Sequence, residues 1–414
     1  MSTLEGRRGA VRPPCASIVI PAYRNPRLAD CLDALRTIAD DGVRFDIHVV
    51  LNDASPEVAD IARRHAPAVS VWPAPGNLGV GLGCNFGFNR AEGEFLVQLQ
   101  DDAIVEPGWL HHLVRRARDT PDAGAVGSLV LDPAGRVVEA GGFVWNDGNP
   151  GRCLDIGSVD PDDYRASRTV DYHGSDGLLI RREAWQSVGG FDPAFHPVYH
   201  GDIDFCHRLR ARGWRVLVEP LSRVTHQKNA STTTLYREFL GARHRTIFAE
   251  RHAAMLATHG APSTVAADIE REIQRARRAE AQAPPTPPTS SELAELERHS
   301  TFTPEDVLRM ERDARAAYAE WLEARLAATV AHYDETAADG VHTAQELERS
   351  VRNATALTAE LRRAHDDYRE LEEWARMLEH TAAGAAVPAQ AAHRWTSERI
   401  RQRIRRVRRP GDQR

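Results

Sequence analysis

Four short apolar runs alternate with segments of helical spacing in the first part of the chain. Each run has the length of a buried strand, and the apolar residues between the runs recur as on one face of a helix. This alternation predicts an α/β fold with a mostly parallel, Rossmann-like sheet, joined by right-handed crossovers and flanked by helices. The predicted strands are Ser17–Ile20, Ile47–Leu51, Val69–Val71 and Phe95–Leu99, and the predicted helices are Leu28–Ile38, Pro56–Arg64 and residues 80–91.

The pattern changes in the second part of the chain, which is rich in Ala, Glu and Arg and has few β-branched runs. Four prolines between Ala281 and Ser291 cannot continue a helix and predict a semi-rigid spacer. Long amphipathic helices are predicted beyond it, at Leu293–Arg298, Pro304–Tyr333 and Thr343–Ala382. The predicted division is a flexible leader at 1–15, an α/β domain at 16–260, a helix and Pro-rich linker at 261–291, a helical region at 292–393 and a basic amphipathic tail at 394–414.

Composition narrows the class of protein. The formal net charge of −6 excludes a generally basic nucleic-acid binder. The five cysteines are scattered and form no CxxC pair, which argues against a disulfide framework or a structural zinc site and fits a reducing cytoplasm. No run approaches the roughly 18 apolar residues of a membrane span. We therefore expect a cytoplasmic protein whose contact with a membrane is peripheral, at the inner face.

Polar side chains follow three of the predicted strands. Parallel sheets bind ligands at the carboxyl ends of their strands, so these residues are expected at one edge. Adjacent carboxylates are tolerable where a cation joins them, and Mg²⁺ or Mn²⁺ commonly binds one or two carboxylates together with substrate phosphates. The alternative is a set of turns and helix caps. The residues are Pro21 and Tyr23, then Asn52 and Asp53, then Asp101 and Asp102.

Two further residues carry candidate chemistry. Asp202 opens a predicted helix, where a carboxylate can accept a hydroxyl proton as a general base or simply cap the helix. His226 follows a strand-like segment; imidazole is a common metal ligand, but a lone His is more often a surface or core residue. The glycine-rich stretch from Gly76 to Gly83 lacks the spacing of a phosphate-binding fingerprint and is better explained as a turn.

Six motifs, in one order, resemble family 2 glycosyltransferases of the GT-A fold over residues 16–245. They are SIVIPAYRN, VVLNDAS, NLGVGLGCNFGFNRAEGEFLVQLQDD with AIVEPGWL, VDYHGSDGLLIRREAWQSVGGFD, GDIDFCHRLRARGW and VTHQKNAS. VVEAGGFVWNDG and VGGFDPAF are similar to rhamnosyltransferase-like members that build bacterial surface polysaccharides. The resemblance implies an inverting enzyme that takes a sugar from a nucleotide-sugar with the help of a divalent metal, Mg²⁺ or Mn²⁺.

The resemblance also implies a role for individual residues. Asp102 matches the last Asp of the family's DxD-type motif and, with the late His matched by His226, would bind the metal and the diphosphate. Asp202 matches the presumed base that deprotonates the acceptor hydroxyl. The residues that would bind the donor nucleotide are Pro21, Tyr23, Asn52, Asp53, Asp101 and Arg181.

Three positions depart from the family's pattern. Gln100 replaces the usual first acid of the DxD motif, and Asn52 replaces the Asp that usually begins the second strand-end motif. Gly201 replaces the Glu that precedes the presumed base Asp202, and His200 lies beside it. These changes leave the donor nucleotide undetermined.

Two main functions are therefore compatible with the sequence. The first is transfer of a sugar to a hydroxyl of a cell-envelope glycan or a lipid-linked acceptor. The second is a catalytically altered or inactive scaffold subunit. A nucleotidyltransferase is disfavoured because PAYRN, and no glycine-rich signature, follows the first strand. The arginine-rich tail suits an anionic membrane surface or is a solvated tail, and the C-terminal helices suit packing on the catalytic domain or a homodimer.

Overall fold

The computed structural model describes residues 14–39, 42–226, 234–278, 284–338 and 344–382. The chain forms two compact units, the first ending at Val307 and the second beginning at Leu308. The predicted basic tail at 394–414 and most of the predicted leader lie outside the described residues.

Twelve strands are assigned within the described residues, all of them in the first unit. They are β1 Ala16–Ala22, β2 Phe45–Leu51, β3 Ser70–Pro73, β4 Phe95–Gln98, β5 Ala103–Val105, β6 Ala123–Leu131, β7 Val137–Glu139, β8 Gly142–Val144, β9 Pro150–Arg152, β10 Arg168–Thr169, β11 Leu178–Arg181 and β12 Arg215–His226.

The helices divide between the two units. Those of the first unit are α1 Leu28–Thr37, α2 Pro56–Arg64, α3 Gly79–Phe88, α4 Trp109–Asp119, α5 Arg182–Ser187, α6 Gly201–Ala211, α7 Thr234–Arg251, α8 Ala253–Leu256, α9 Ala266–Arg278 and α10 Ser290–Arg298. Two long helices follow, α11 Pro304–Ala338 and α12 Ala344–Ala382.

The sheet confirms the predicted α/β architecture and is mixed in direction. Its order is β10-β12-β6-β11-β4-β1-β2-β3, with β5 paired to β12 and β7 to β6. The pairs β1–β2, β1–β4 and β2–β3 are parallel, as the alternation of strands and helices predicted. Strand β11 lies antiparallel between β4 and β6, so the parallel part does not extend across the whole sheet.

Strand β1 is buried along its whole length, because helices cover both faces of the sheet. Ile18 and Ile20 belong to a core shared with apolar residues of α1, α2 and α4. Val19 points the other way, towards α3, where a Cβ on Gly87 would lie 2.4 Å from its Cγ1. Glycine at position 87 therefore lets α3 approach the sheet closely.

The first unit extends beyond the predicted 16–260 domain because two later helices pack onto it. Ile269 and Ile273 of α9 are buried, as is Leu296 of α10. Arg212, just after α6, forms an ion pair of 2.8 Å with Glu292 of α10. The part of the predicted linker that the structure describes thus contacts the α/β part directly.

The second unit confirms the predicted helical C-terminal region. Helices α11 and α12 are joined by an ion pair between Arg315 and Asp367, 3.7 Å apart. Tyr318 of α11 donates a hydrogen bond of 3.0 Å to Glu360 of α12. Over the described part of the chain, no helix is both long and apolar enough to cross a membrane. All five cysteines are free thiols, as predicted.

Candidate functional site

The carboxyl ends of β1, β2 and β4 meet at one edge of the sheet, as their parallel register requires. The backbone N–H of Tyr23, just after β1, donates a hydrogen bond of 3.2 Å to Asp101, which follows β4. The N–H of Asn52 donates to the carbonyl of Ala22 at 2.9 Å. The predicted strand-end residues are therefore neighbours.

Asn52 holds the start of helix α3. Its side-chain oxygen accepts a hydrogen bond of 2.7 Å from the N–H of Leu78, and its amide nitrogen donates to the carbonyl of Gly79 at 3.0 Å. Asn52 is 4% exposed. Because both ends of the amide are already bonded to backbone, this side chain fixes the glycine-rich segment at the sheet edge.

Asp53 and Arg24 form the outer part of this edge. The Arg24 guanidinium donates to Asp53 at 2.8 Å and lies 4.6 Å from the centre of the Tyr23 ring. Sequence reasoning missed Arg24, although it lies within the PAYRN motif. Arg24 places a positive charge beside the predicted nucleotide-binding residues.

Asp102 and His226 meet because strand β12 pairs with β5. In that antiparallel register His226 lies opposite Ala103, the residue after Asp102. Nε2 of His226 lies 2.8 Å from Oδ1 of Asp102, and Nδ1 lies 3.1 Å from Oδ2 of Asp176. Asp102 is 5% exposed and Asp176 7%. The structure thus brings the two predicted metal ligands together and adds Asp176, which sequence reasoning missed.

Neighbouring carboxylates affect the pKa values of His226 and Asp101. Burial lowers the pKa of His226, but the interactions with the carboxylates of Asp102 and Asp176 outweigh it and raise the pKa to about 10. Burial raises the pKa of Asp101 to about 7, with the neighbouring Asp102 contributing, against the hydrogen bond from Tyr23. The carboxylates therefore favour a positively charged group at this point of the sheet edge.

Asp102 and His226 have donor atoms of the kinds that bind a divalent cation. Asp102 offers a carboxylate oxygen, and His226 offers a ring nitrogen once the cation displaces its proton. Asp101, Asp176 and Asp202 around them favour positive charge. Within the described ranges, no three His, Cys, Asp or Glu side chains are arranged as a complete cation-binding group. Asp102 and His226 would be the protein's ligands to such a cation.

Asp202 lies in the first turn of α6, as predicted. Its Oδ1 accepts a hydrogen bond of 2.9 Å from the N–H of Ile203. Burial raises the pKa of its carboxyl to about 6, and the negative charges of Glu139 and Asp176 add to the rise, against the backbone hydrogen bonds. Because Asp176 also contacts His226, Asp202 belongs to the same cluster of charges.

Glu139, at the end of β7, is the other acid that sequence reasoning missed. Its Oε1 accepts a hydrogen bond of 2.6 Å from the N–H of Gly174. Gly174 and Asp176 lie in the same HGSDG segment that precedes β11. Glu139 had a weak signal in the sequence, the VVEAGG motif, but nothing there placed its carboxylate beside Asp202.

A cavity of about 110 Å³ lies between the start of α3, the end of β4 and the start of α6. Asp202 and Gly201 line it on the side of α6, and Gln98 and Gln100 line it on the side of the sheet. Phe191, Phe195 and Tyr199 contribute aromatic walls. The candidate base therefore faces an enclosed space that a substrate group can enter.

Arg181 is the predicted site residue that the structure does not bring to this edge. It lies opposite Phe95, the first residue of β4, and so at the other end of the sheet. Its guanidinium donates to the carbonyls of Ala117 at 2.6 Å and Ala123 at 3.3 Å. Because β11 runs antiparallel to β4, Arg181 does not join the other strand-end residues, and its donor contact stays a prediction.

Residues 17–141 match the profile of the family described as glycosyl transferase family 2. They contain the PAYRN, LNDAS and QDD strand ends described above. This domain belongs to glycosyl transferase family 2. The predicted resemblance is thereby confirmed for the part of the chain that carries Asp102.

Two curated relatives of the family 2 domain are named for O-antigen biosynthesis and for rhamnosyl transfer. The O-antigen biosynthesis protein RfbC of Myxococcus xanthus is 31% identical over 234 residues, which are 53% of this chain and 18% of that protein. The N-acetylglucosaminyl-diphospho-decaprenol L-rhamnosyltransferase of Mycobacterium tuberculosis is 28% identical over 226 residues, 49% of this chain and 72% of that protein. The predicted resemblance to rhamnosyltransferase-like members is confirmed.

Among solved structures, that of GalNAc-T7 with UDP, GalNAc and Mn²⁺ matches with a TM-score of 0.46 at 16% identity. The match covers 70% of this chain and 56% of that one. The chain thus spans under a fifth of the RfbC protein and just over half of the GalNAc-T7 chain.

Proposed function

We propose that the family 2 domain transfers a sugar, with inversion, from a nucleotide-sugar to a hydroxyl group of a glycan or lipid-linked acceptor. The observation that carries this proposal is the joining of Asp102, His226, Asp176 and Asp202 into one charged cluster beside a cavity. The names of two relatives, an O-antigen biosynthesis protein and an N-acetylglucosaminyl-diphospho-decaprenol L-rhamnosyltransferase, support the class of acceptor.

Asp202 acts as the general base. A base works best when its pKa lies near the working pH, and burial together with Glu139 raises the pKa of Asp202 to about 6. The ionised carboxylate accepts the proton of the acceptor hydroxyl, whose oxygen then attacks the anomeric carbon. A single displacement inverts that carbon, and the reaction needs no second carboxylate as nucleophile.

Asp102 and His226 would hold Mg²⁺ or Mn²⁺ against the diphosphate of the donor. Such an ion stabilises negative charge on a departing diphosphate as a Lewis acid. The chain's own contribution is to fix both side chains through the β5–β12 pairing and to keep Asp176 beside His226. Arg24 and Tyr23 lie where they would contact the nucleotide.

Gly201 does not by itself argue against catalysis. A Cβ at this position would make an ordinary contact of 3.4 Å with Phe195, so the backbone does not require glycine there. Glu139 reaches the neighbourhood of Asp202 from a different strand. We infer that Glu139 provides the carboxylate next to the base that the family's pattern places at position 201.

Attachment to a membrane and formation of a homodimer remain predictions. The membrane prediction depends on the basic tail at 394–414, which lies outside the described residues. The inner face of the cell membrane would be the place where a lipid-linked acceptor is met.

Donor binding is the first test. Thermal shifts would be recorded with UDP-, GDP- and dTDP-sugars at millimolar concentration, with and without Mn²⁺, because a ligand that binds only the folded state raises its stability. We expect one nucleotide class to stabilise the wild type in the presence of Mn²⁺, and Asp102→Asn to abolish that dependence. Asp119→Asn, at an exposed position of α4, is the matched control.

Turnover separates the two functions considered for the chain. An active enzyme releases nucleoside diphosphate with a glycan or lipid-linked acceptor, and Asp202→Asn stops the release while donor binding persists. Metal-dependent binding without any turnover would favour the scaffold, and absence of all nucleotide binding by the wild type would contradict the proposal.

A further inference from the structure

Gln98, the last residue of β4, has a buried side-chain amide whose polar atoms lack partners in the described part of the protein. It is 1% exposed, and within the described residues neither its amide oxygen nor its amide nitrogen has a hydrogen-bond partner in the protein. Its neighbours across the sheet are Val19 and Leu178, which offer no polar side chain. A buried amide without partners destabilises the fold, so its presence needs an explanation.

His196 presents a second buried atom of this kind. The residue is 7% exposed, and its Nε2 lies 3.0 Å from the carbonyl of Asn77. Since a carbonyl only accepts, Nε2 carries the proton and Nδ1 is left as an acceptor in the neutral ring. Burial lowers the pKa of His196 and outweighs the opposite effect of the bond to Asn77. The lowered pKa keeps the ring neutral. Nδ1 has no partner among the described residues.

Both side chains line the cavity that Asp202 also lines. Of the residues around this cavity, these two are the ones with buried polar atoms that lack a partner in the described part of the chain. Phe191 and Phe195 form apolar walls beside them. Ligand pockets typically combine apolar walls with a few polar groups that orient the ligand.

We propose that Gln98 and His196 form a subsite that binds hydroxyl groups of the transferred sugar. This inference rests on the proposed function and deepens it. The amide nitrogen of Gln98 donates, whereas its oxygen and Nδ1 of His196 accept, and a sugar hydroxyl can do both. The subsite lies at the end of β4, three to four residues before Asp101 and Asp102.

The subsite selects among donor sugars. A site built to bond a hydroxyl rejects an analogue that lacks it, because the buried protein groups are then left without partners. Gln98 and His196 should therefore contribute to the affinity for the sugar and not to the affinity for the nucleotide. Removing the buried polar atoms of Gln98 or His196 should also remove the free-energy cost of leaving them without partners in the free protein.

The test measures the dissociation constants of UDP, GDP and dTDP and of UDP-glucose, GDP-mannose and dTDP-rhamnose by calorimetry with Mn²⁺. The readout is the ratio between each sugar nucleotide and its parent diphosphate, without any acceptor. Gln98→Met keeps the length of the side chain and removes the amide. His196→Phe keeps a ring and removes Nδ1 together with Nε2, so the bond to the carbonyl of Asn77 is lost as well. Gln186→Met in α5, outside the cavity, is the control.

We expect Gln98→Met and His196→Phe each to weaken binding of the preferred sugar nucleotide about 3- to 10-fold, the loss of roughly one hydrogen bond. The diphosphate should bind unchanged, and Gln98→Met should melt at or above the wild-type temperature. An unchanged ratio, or equal weakening of diphosphate and sugar nucleotide, would overturn the subsite. A wild type that binds no nucleotide would overturn the proposed function as well.

Discussion

Two carboxylates two residues apart on α6 lie in opposite surroundings. Asp202 faces the cavity and is surrounded by other acids, which together with burial raise its pKa to about 6. Asp204 is fully buried and bonded to three basic side chains, which overcome the effect of burial and hold its pKa well below the ordinary range. Its partners are Arg208 at 2.7 Å, Arg251 at 2.9 Å and His252 at 3.0 Å.

The difference separates a group arranged for chemistry from one arranged for stability. Both carboxylate oxygens of Asp204 accept hydrogen bonds. The donors come from α6, α7 and the residue before α8, so Asp204 ties these elements together. Asp202 accepts hydrogen bonds from backbone N–H groups only and has like charges nearby. A strongly shifted pKa in a cleft marks a candidate functional group, whereas the same burial with opposite charges marks a structural one.

The largest effect is expected from Asp202→Asn. The amide cannot accept the acceptor's proton, so kcat should fall by about 10³-fold, within the range typical of a lost general base. The folded state should be as stable as the wild type or more so, because a buried charge is removed. Steady-state kinetics and thermal unfolding measure the two quantities.

Asp119→Asn again serves as the control for Asp202→Asn, and both proteins should bind the donor like the wild type. If kcat of Asp202→Asn stayed within a factor of three of the wild type, another group would remove the proton. Asp202 would then not be the catalytic member of the two acids.

Asp204→Asn should do the reverse. It leaves Arg208 and Arg251 without their buried counter-charge, which should lower the free energy of unfolding by about 3 kcal/mol. The residual activity per folded molecule should stay within about tenfold of the wild type. Denaturant unfolding followed by circular dichroism measures the stability, and a loss of activity as large as that of Asp202→Asn at unchanged stability would contradict the assignment.

The two acids should also respond to pH over different ranges. Activity needs ionised Asp202, so kcat/KM should fall by about tenfold per pH unit below about 6 and level off above it. Asp204 has a lowered pKa in the folded state, so its contribution to stability is present above the ordinary carboxyl pKa of about 4 and is lost as the pH falls below that value.

Glu139→Gln tests whether the charge of Glu139 raises the pKa of Asp202. Removing this negative charge should lower the pKa of Asp202 and move the acid limb of the activity profile to lower pH, with the stability limb of Asp204 unchanged. A profile that does not move would show that Glu139 does not act on the base.

The parallel half of the sheet and its strand-end residues could be predicted because they depend on local signals. Apolar runs that stop at polar residues identify β1, β2 and β4, and parallel pairing then brings their ends together whatever the loops do. This is why Tyr23, Asn52 and Asp101 were placed correctly at one edge. The contact of Asp102 with His226 was expected from family resemblance alone.

The other half of the site could not be read from local pattern. Strand β11 inserts antiparallel between β4 and β6 from a segment that follows β4 by 80 residues, and apolar alternation does not encode that order. Asp176 and Glu139 reach the site only through this insertion and through β7. The same insertion carries Arg181 away from the edge.

The smallest effect is expected from Arg181→Met. Arg181 bonds the carbonyls of Ala117 and Ala123, so Arg181→Met should lower the free energy of unfolding by about 1 to 2 kcal/mol and leave donor affinity unchanged. Arg24→Met, the matched change at the site edge, should weaken binding of nucleoside diphosphate with little effect on stability, since its partner Asp53 is partly exposed. Calorimetry and denaturant unfolding on both variants decide which arginine faces the donor; weaker binding in Arg181→Met alone would reverse the assignment and place the donor at the opposite end of β4.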